Sequence, residues 1–304
     1  MQRSQDAVGR HPGATGHTTS GKHPGDWRLV LDCERPGALN MALDEVLTRA
    51  CAAGEGPVLR LYGWSRPTLS LGRNQELARA ADLEACEHLG VDVVRRPSGG
   101  HAVLHEREIT YALSVPASEP LLASGARAAL RRIADAIALG LGRLGVRARR
   151  QVCGRGRDVP GTAVPVAPCF ATTARDEVTV DGIKVAAAAQ WRLRRALLQQ
   201  GSIPLSIDSG RLMRVTGAVA GRGMPPVGAG AGILRWLSWD ERQPAHRADA
   251  LIRVRRRLIE SLIGGFEETL GVRLRPDRLR GDELAAAREL QSHVYGSTTW
   301  TRRR

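Results

Sequence analysis

The chain has 304 residues, 42% hydrophobic and 25% charged, which is a balance for one large domain or a large domain with a small one. No apolar run approaches the ~18 residues of a membrane span, so no membrane-crossing helix is expected. The net charge of +14 invites a nucleic-acid reading, but aromatics are only 4% and no nucleic-acid module is found. The charge reads instead as an arginine bias or an attraction for acidic proteins, and neither nucleic acid nor membrane is expected as a partner.

In chain order, residues 1–25 are rich in Gly, His, Ser and Thr, and read as a disordered polar tail rather than a signal peptide. The expected location is cytoplasmic. Gly16 to His23 nearly spells a P-loop, but His23 stands where Ser or Thr should bind magnesium and no strand precedes it, so the match is a coincidence. Residues 27–32 predict a strand, and 37–53 a helix with Leu39, Leu43, Val46, Leu47 and Ala50 on one face. Strands follow at 58–62 and 68–71, then a helix at 82–89 closed by Gly90, then a strand at 91–94.

That strand leads into Arg95-Arg96-Pro97-Ser98-Gly99-Gly100-His101, a turn whose glycines let a ligand approach the backbone. Further strands are expected at 102–104 and 109–115. Leu122, Ala126, Leu130, Ile133, Ile137, Leu141 and Leu144 step by four and three, a long amphipathic helix with Arg127, Arg131 and Asp135 toward water.

Residues 152–168 read as a long loop. Asp181-Gly182 between 177–180 and 183–185 is a strong type I′ hairpin signal. A strand at 197–205, a mobile Gly/Pro connection at 217–232, a helix at 248–270 and a short helix at 282–293 complete the folded part. Hairpins and helices mix without regular βαβ alternation, so the expected class is α+β, a mainly antiparallel or mixed sheet covered by helices.

The five cysteines, Cys33, Cys51, Cys86, Cys153 and Cys169, are odd in number and match no zinc spacing. One can be a nucleophile, and Cys169, between a Pro-rich loop and a hairpin, is the candidate. His101 and His105 sit four apart across a turn, with no acidic cluster, and no metal is expected. His105 is read as pocket lining or a structural hydrogen-bonder. Only two of the 45 basic residues are lysines, Lys22 in the tail and Lys184. Where positive charge alone suffices the chain uses arginine, so Lys184 is singled out as a compact ammonium with a chemical task.

Taken in order, several segments resemble the biotin/lipoate protein ligase superfamily. They are Asn40-Met-Ala-Leu-Asp44-Glu45, Leu59-Arg60-Leu61-Tyr62-Gly63-Trp64, Arg95 to Gly100, His105, Cys169-Phe170, Glu177, Gly182-x-Lys184, Ala189-Gln190 and Gln199-x-Gly201-Ser202. The resemblance runs from Trp27 to Tyr295-Gly-Ser and Trp300. It is strongest to the cysteine-dependent octanoyltransferase branch.

That resemblance implies a ligase-like catalytic domain over 26–245, with a C-terminal helical segment, 246–304, packed on it. It implies transfer of octanoate from octanoyl-acyl carrier protein to a lysine of a lipoyl-domain protein, such as the glycine-cleavage H protein, without a cofactor. Cys169 would form a thioester and Lys184 would be the site lysine. Arg96, Ser98, Gly99, Gly100, His105 and Gln190 would bind substrate, and apolar residues near Ala102 and Leu104 would line a chain tunnel.

The alternatives are an ATP-dependent lipoate ligase, which Arg95 and Arg96 would suit, and an amidotransferase between lipoyl domains. The chain departs from the family pattern at Ala187 and Ala188, where Gly-Ser is usual, and at Gln200, where histidine is common.

Overall fold

The structure, a computed structural model, describes residues 25–152, 169–171, 175–216, 230–237 and 247–303. The tail up to residue 24 with its near P-loop and Lys22, Cys153, nearly all of the 152–168 loop and residues 217–229 of the expected connection lie outside them.

The chain begins with β1 (Asp26–Arg35), α1 (Gly37–Ala52), β2 (Val58–Trp64), β3 (Thr68–Leu71), α2 (Leu77–Ala80), α3 (Leu83–His88), β4 (Asp92–Arg95), β5 (Val103–His105) and β6 (Glu108–Pro116). It continues with α4 (Ala126–Arg143), β7 (Arg149–Arg150), β8 (Val178–Val180), β9 (Ile183–Arg192), β10 (Ala196–Pro204) and α5 (Ser209–Val215). It closes with α6 (Arg247–Leu270), β11 (Arg273–Asp277), α7 (Gly281–Leu290) and α8 (Thr298–Thr301).

One eight-stranded sheet has the order β11-β1-β2-β6-β10-β9-β8-β7, and a three-stranded sheet has the order β4-β3-β5. In the large sheet β1 runs parallel to β11 and β2, and the other pairs are antiparallel. This is the mixed α+β arrangement expected.

Strand β2 is buried along its whole length, and β6 is buried except at Pro116, because helices cover both faces. Leu59, Leu61, Ile109, Tyr111 and Leu113 pack under α4 and α6, while Tyr62, Trp64 and Ala112 pack under α1 and the C-terminal segment. Double burial explains why β6 alternates poorly in sequence. Each large apolar side chain taken out of water here contributes about 1.5–3 kcal/mol.

Helices α4 and α6 cross on glycines. A Cβ on Gly265 would meet the Ala136 carbonyl oxygen at 2.4 Å, and one on Gly140 the Ser261 carbonyl at 2.9 Å. Helix α3 starts where Asp82 Oδ1 accepts from Ala85 N–H at 2.9 Å, an ordinary N-cap.

Four expectations change. Strand β11 was not foreseen: Arg-Leu-Arg-Pro-Asp buries only Leu274 and lies at the sheet edge, where proline is tolerated. Strand β9 reaches Arg192 rather than residue 185, because pairing with β10 carries the alanine run that propensity leaves weak. Helix α5 follows β10 where no element was expected, its N-cap Asp208 accepting from Arg211 N–H at 2.9 Å. The folded part does not end at residue 293. It runs on into α8, where Trp300 Nε1 donates to the Arg95 carbonyl at 2.8 Å and Arg95 Nη2 donates back to the Thr301 carbonyl at 2.8 Å.

Candidate functional site

The hairpin β8–β9 brings the two singled-out residues together. Asp181 and Gly182 have φ of 51° and 80°, the positive pair that a type I′ turn requires. The turn sends Lys184 back beside the short helical turn Cys169–Ala171. The Cys169 N–H donates to the Ala102 carbonyl at 3.0 Å, tying that turn to the start of β5.

Lys184 is 1% exposed. Its Nζ donates to the Cys169 carbonyl at 2.7 Å, contacts Cys169 Sγ at 3.4 Å, and pairs with Glu177 Oε1. Burial works to lower the Lys184 pKa, but Cys169 and Glu177 outweigh it and hold the ammonium above its ordinary 10.5. Glu177 is delivered by its neighbour: Asp176, at φ 68°, takes Arg127, Arg131 and Arg150 as ion-pair partners. The charged side of α4 thereby anchors the carboxylate that meets the lysine.

Arg96 approaches from the other side. Nη1 donates to the Ser70 carbonyl and Oγ at 2.9 and 3.1 Å, and Nη2 to the Gly99 and His101 carbonyls at 2.6 and 2.8 Å. All four terminal N–H groups are therefore taken by protein. Burial lowers its pKa to about 10, with Cys169 opposing, so it stays charged at neutral pH. Burial, Lys184 and Arg96 together lower His101, which leaves its imidazole neutral.

Cys169, Arg96, Gly100 and His105 line one cavity, with Met41, Tyr62, Trp64, Ser70, Val103, Thr110, the alanines 187–189, Gln200, Gly201 and Ser202. Its floor at Gly100 has φ 90°, and Gly72 is packed so tightly beneath that a Cβ there would lie 1.9 Å from the Gly100 oxygen. One wall is a polar lattice. His105 stacks on Trp64, with ring centroids 4.0 Å apart, and shares hydrogen bonds with Ser70 Oγ and Glu108 Oε1, both 2.8 Å. Ser202 Oγ donates to Glu108 Oε2 at 2.7 Å. His105 is thus both pocket wall and structural hydrogen-bonder.

Other expected residues sit differently. Ser98 is buried and donates to Gln200 Oε1 at 2.7 Å, and Gly99 gives its carbonyl to Arg96, so neither lines the cavity. Gln190 stands apart: its amide donates to the Ala126 carbonyl at 3.0 Å and to Gln199 Oε1 at 2.9 Å. Val103 lines this cavity, whereas Ala102 and Leu104 pack with Leu69 and Leu71 and line, with Val103 and Phe170, a second one. Arg95 is wholly buried, and its Nη1 and Nη2 donate to backbone carbonyls of Gly72, Arg73, Gln75 and Thr301.

Met41, Trp64, Glu177 and Ser202 stood in the series that carries the resemblance, but without a role, since pattern gives burial and not which void a side chain faces; Gln200 stood out only as a departure from the family pattern.

Among the described residues no group of three or more metal-ligating side chains gathers, and no helix is long and apolar enough to cross a membrane. Residues 36–233 match the lipoyl protein ligase A/B catalytic domain. The octanoyltransferase LipM of Kyrpidia tusciae is 36% identical over 285 residues, covering 91% of this chain and 99% of that protein. The LipM of Symbiobacterium thermophilum is 37% identical over 292 residues, covering 92% and 99%.

Among solved structures, a putative lipoate protein ligase from T. acidophilum with bound lipoic acid has a TM-score of 0.68 at 22% identity, covering 92% of this chain and all of that one. A lipoate-protein ligase A bound with ATP has a TM-score of 0.69 at 22% identity, covering 91% and 98%. The chain belongs to the lipoyl protein ligase A/B catalytic-domain family, in the octanoyltransferase branch of the biotin/lipoate ligase superfamily.

Proposed function

We propose that the protein moves an octanoyl group from acyl carrier protein to a lysine of a lipoyl-domain protein, through a thioester on Cys169. The observation that carries this is Lys184 Nζ at 3.4 Å from Cys169 Sγ, in a cavity with apolar alanine and valine walls. The Cys169 thiolate attacks the donor thioester carbon, the donor sulfur leaves as a thiolate, and the acyl group stays on Cys169. Exchange of one thioester for another is nearly isoenergetic and needs no ATP.

Lys184 supports the negative charge that develops on the acyl oxygen, its Nζ already lying beside the sulfur. The neutral amine of the acceptor lysine then attacks, an amide forms, and Cys169 leaves as thiolate. Arg96 and Arg95 have their terminal N–H groups committed to protein oxygens, which favours acyl transfer over phosphate handling. The chemistry needs a reduced thiol, which suits the cytoplasm.

The test is intact-mass measurement after mixing with octanoyl-acyl carrier protein without ATP. An octanoyl adduct on Cys169, absent in Cys169→Ala, is expected, followed by transfer to an apo H protein. A Cys169→Ala protein that transfers octanoate as fast as wild type overturns the nucleophile. Modification that requires free lipoate and magnesium-ATP would select the ligase. An adduct formed only from an octanoylated lipoyl domain would select the amidotransferase.

A further inference from the structure

We propose that Arg96 is a positioning residue for this site: it braces the 98–101 turn and supplies the surplus positive charge beside Cys169. The proposal rests on the reading of Cys169 as the acyl carrier. Two cations stand beside Cys169: Lys184 Nζ lies 3.4 Å from its Sγ, and Arg96 lines the same cavity as Cys169. They differ in what balances them. Lys184 is paired with Glu177. Arg96 is 6% exposed and bonded only to carbonyl and hydroxyl oxygens, and among the described residues no carboxylate forms an ion pair with it. His101, nearby, is neutral.

The cluster of Lys184, Glu177 and Arg96 thus carries one positive charge in excess while Cys169 is a thiol. A thiolate, or an oxyanion formed during its attack, brings that cluster to balance. A buried cation without a counter-ion is costly, and a fork of four bonds to neutral oxygens holds it in place.

The same fork shapes the cavity floor. By holding the carbonyls of Gly99 and His101 it clamps Gly100 from both sides at φ 90°, and Nη2 lies 3.0 Å from where a Gly100 Cβ would stand. The first role needs only charge, whereas the second needs a planar fork, which lysine lacks.

Thiol alkylation separates these roles without acyl transfer. Residue-resolved rates at Cys169 are measured with anionic iodoacetate and neutral iodoacetamide at low ionic strength, with exposed Cys33 as internal reference. Thiolate fraction affects both reagents equally, so their ratio reads the field met by an approaching anion. Arg96→Met is expected to lower the iodoacetate/iodoacetamide ratio at Cys169 roughly fivefold or more, and to leave Cys33 unchanged. Arg96→Lys should keep the ratio within about twofold while lowering kcat/KM for octanoyl transfer through the loosened turn.

A Cys169 ratio unmoved in a folded Arg96→Met overturns the charge role. Full transfer activity in Arg96→Lys overturns the bracing role. If Arg96→Met does not fold, Glu177→Gln tests the charge from the other side: it leaves two unbalanced cations, and the ratio at Cys169 must rise. An unchanged or lower ratio there counts against the proposal. Failure of Cys169→Ala to abolish octanoyl transfer would remove the acyl-enzyme reading while these ratios still stood.

Discussion

Arg60 and Arg96 are both buried arginines in this chain, and they are set to opposite purposes. Arg60, 0% exposed, meets Asp32 at 2.8 Å and Asp44 at 2.7 Å, donates to Asn40 Oδ1 at 2.7 Å, and lies 3.9 Å over the Tyr62 ring. Asp44 also accepts from Tyr62 and Gln200, at 2.8 and 2.7 Å. Every charge in that region is answered by another, and the lattice locks α1 to β2 and β10. Around Cys169 the described charges, Lys184, Glu177 and Arg96, leave one positive charge open. A closed network buys rigidity, while an open one reserves its field for an anion that forms only during reaction.

The largest expected effect is at the closed network. Asp44→Ala leaves Arg60 half-paired and strands the Tyr62 hydroxyl and the Gln200 amide, and should cost about 3–5 kcal/mol in denaturant unfolding. A loss under about 1 kcal/mol would mean the network is not closed in the sense described.

Lys184→Met should behave the other way. Its partner Glu177 is partly exposed and can be rehydrated, so the stability loss should be on the order of 1 kcal/mol, yet octanoyl transfer should fall ~100-fold or more. Equal stability losses in the two variants would erase the contrast.

The smallest effect is a pH dependence at Glu108, which borders both regions. Burial works to raise its pKa, but His105, Thr110 and Ser202 outweigh it and hold the carboxyl below its ordinary 4.5. A depressed carboxylate contributes stability that is fully present above the unfolded value and is lost as pH falls through the folded one. Unfolding midpoints should therefore drop as pH falls below about 4.5, and Glu108→Gln should flatten that limb.

Local chemistry made much of this legible. The Asp181-Gly182 pair specifies its turn, and the turn alone accounts for Lys184 folding back. The stripes of α4 and α6 follow from helical spacing, and the lysine-poor composition pointed at Lys184 before any geometry did. What stayed hidden is tertiary. Gln190 and Gln200 have the same side chain on neighbouring strands, and only one faces the void. That the terminal N–H groups of Arg96 are committed to the Ser70, Gly99 and His101 oxygens is likewise tertiary and invisible in the sequence. Strand β11 escaped because a single buried leucine between charges and proline carries no period.

The pairing of Lys184 with Glu177 has one more consequence. An acyl-enzyme on Cys169 would hold an activated ester against the only lysine among the described residues, and attack by that amine would end in a dead amide. An ammonium has no lone pair to attack with, and the Glu177 carboxylate paired with Lys184 favours that charged form. With 43 arginines and two lysines, a chain whose task is to acylate lysines offers itself few places to be acylated by mistake.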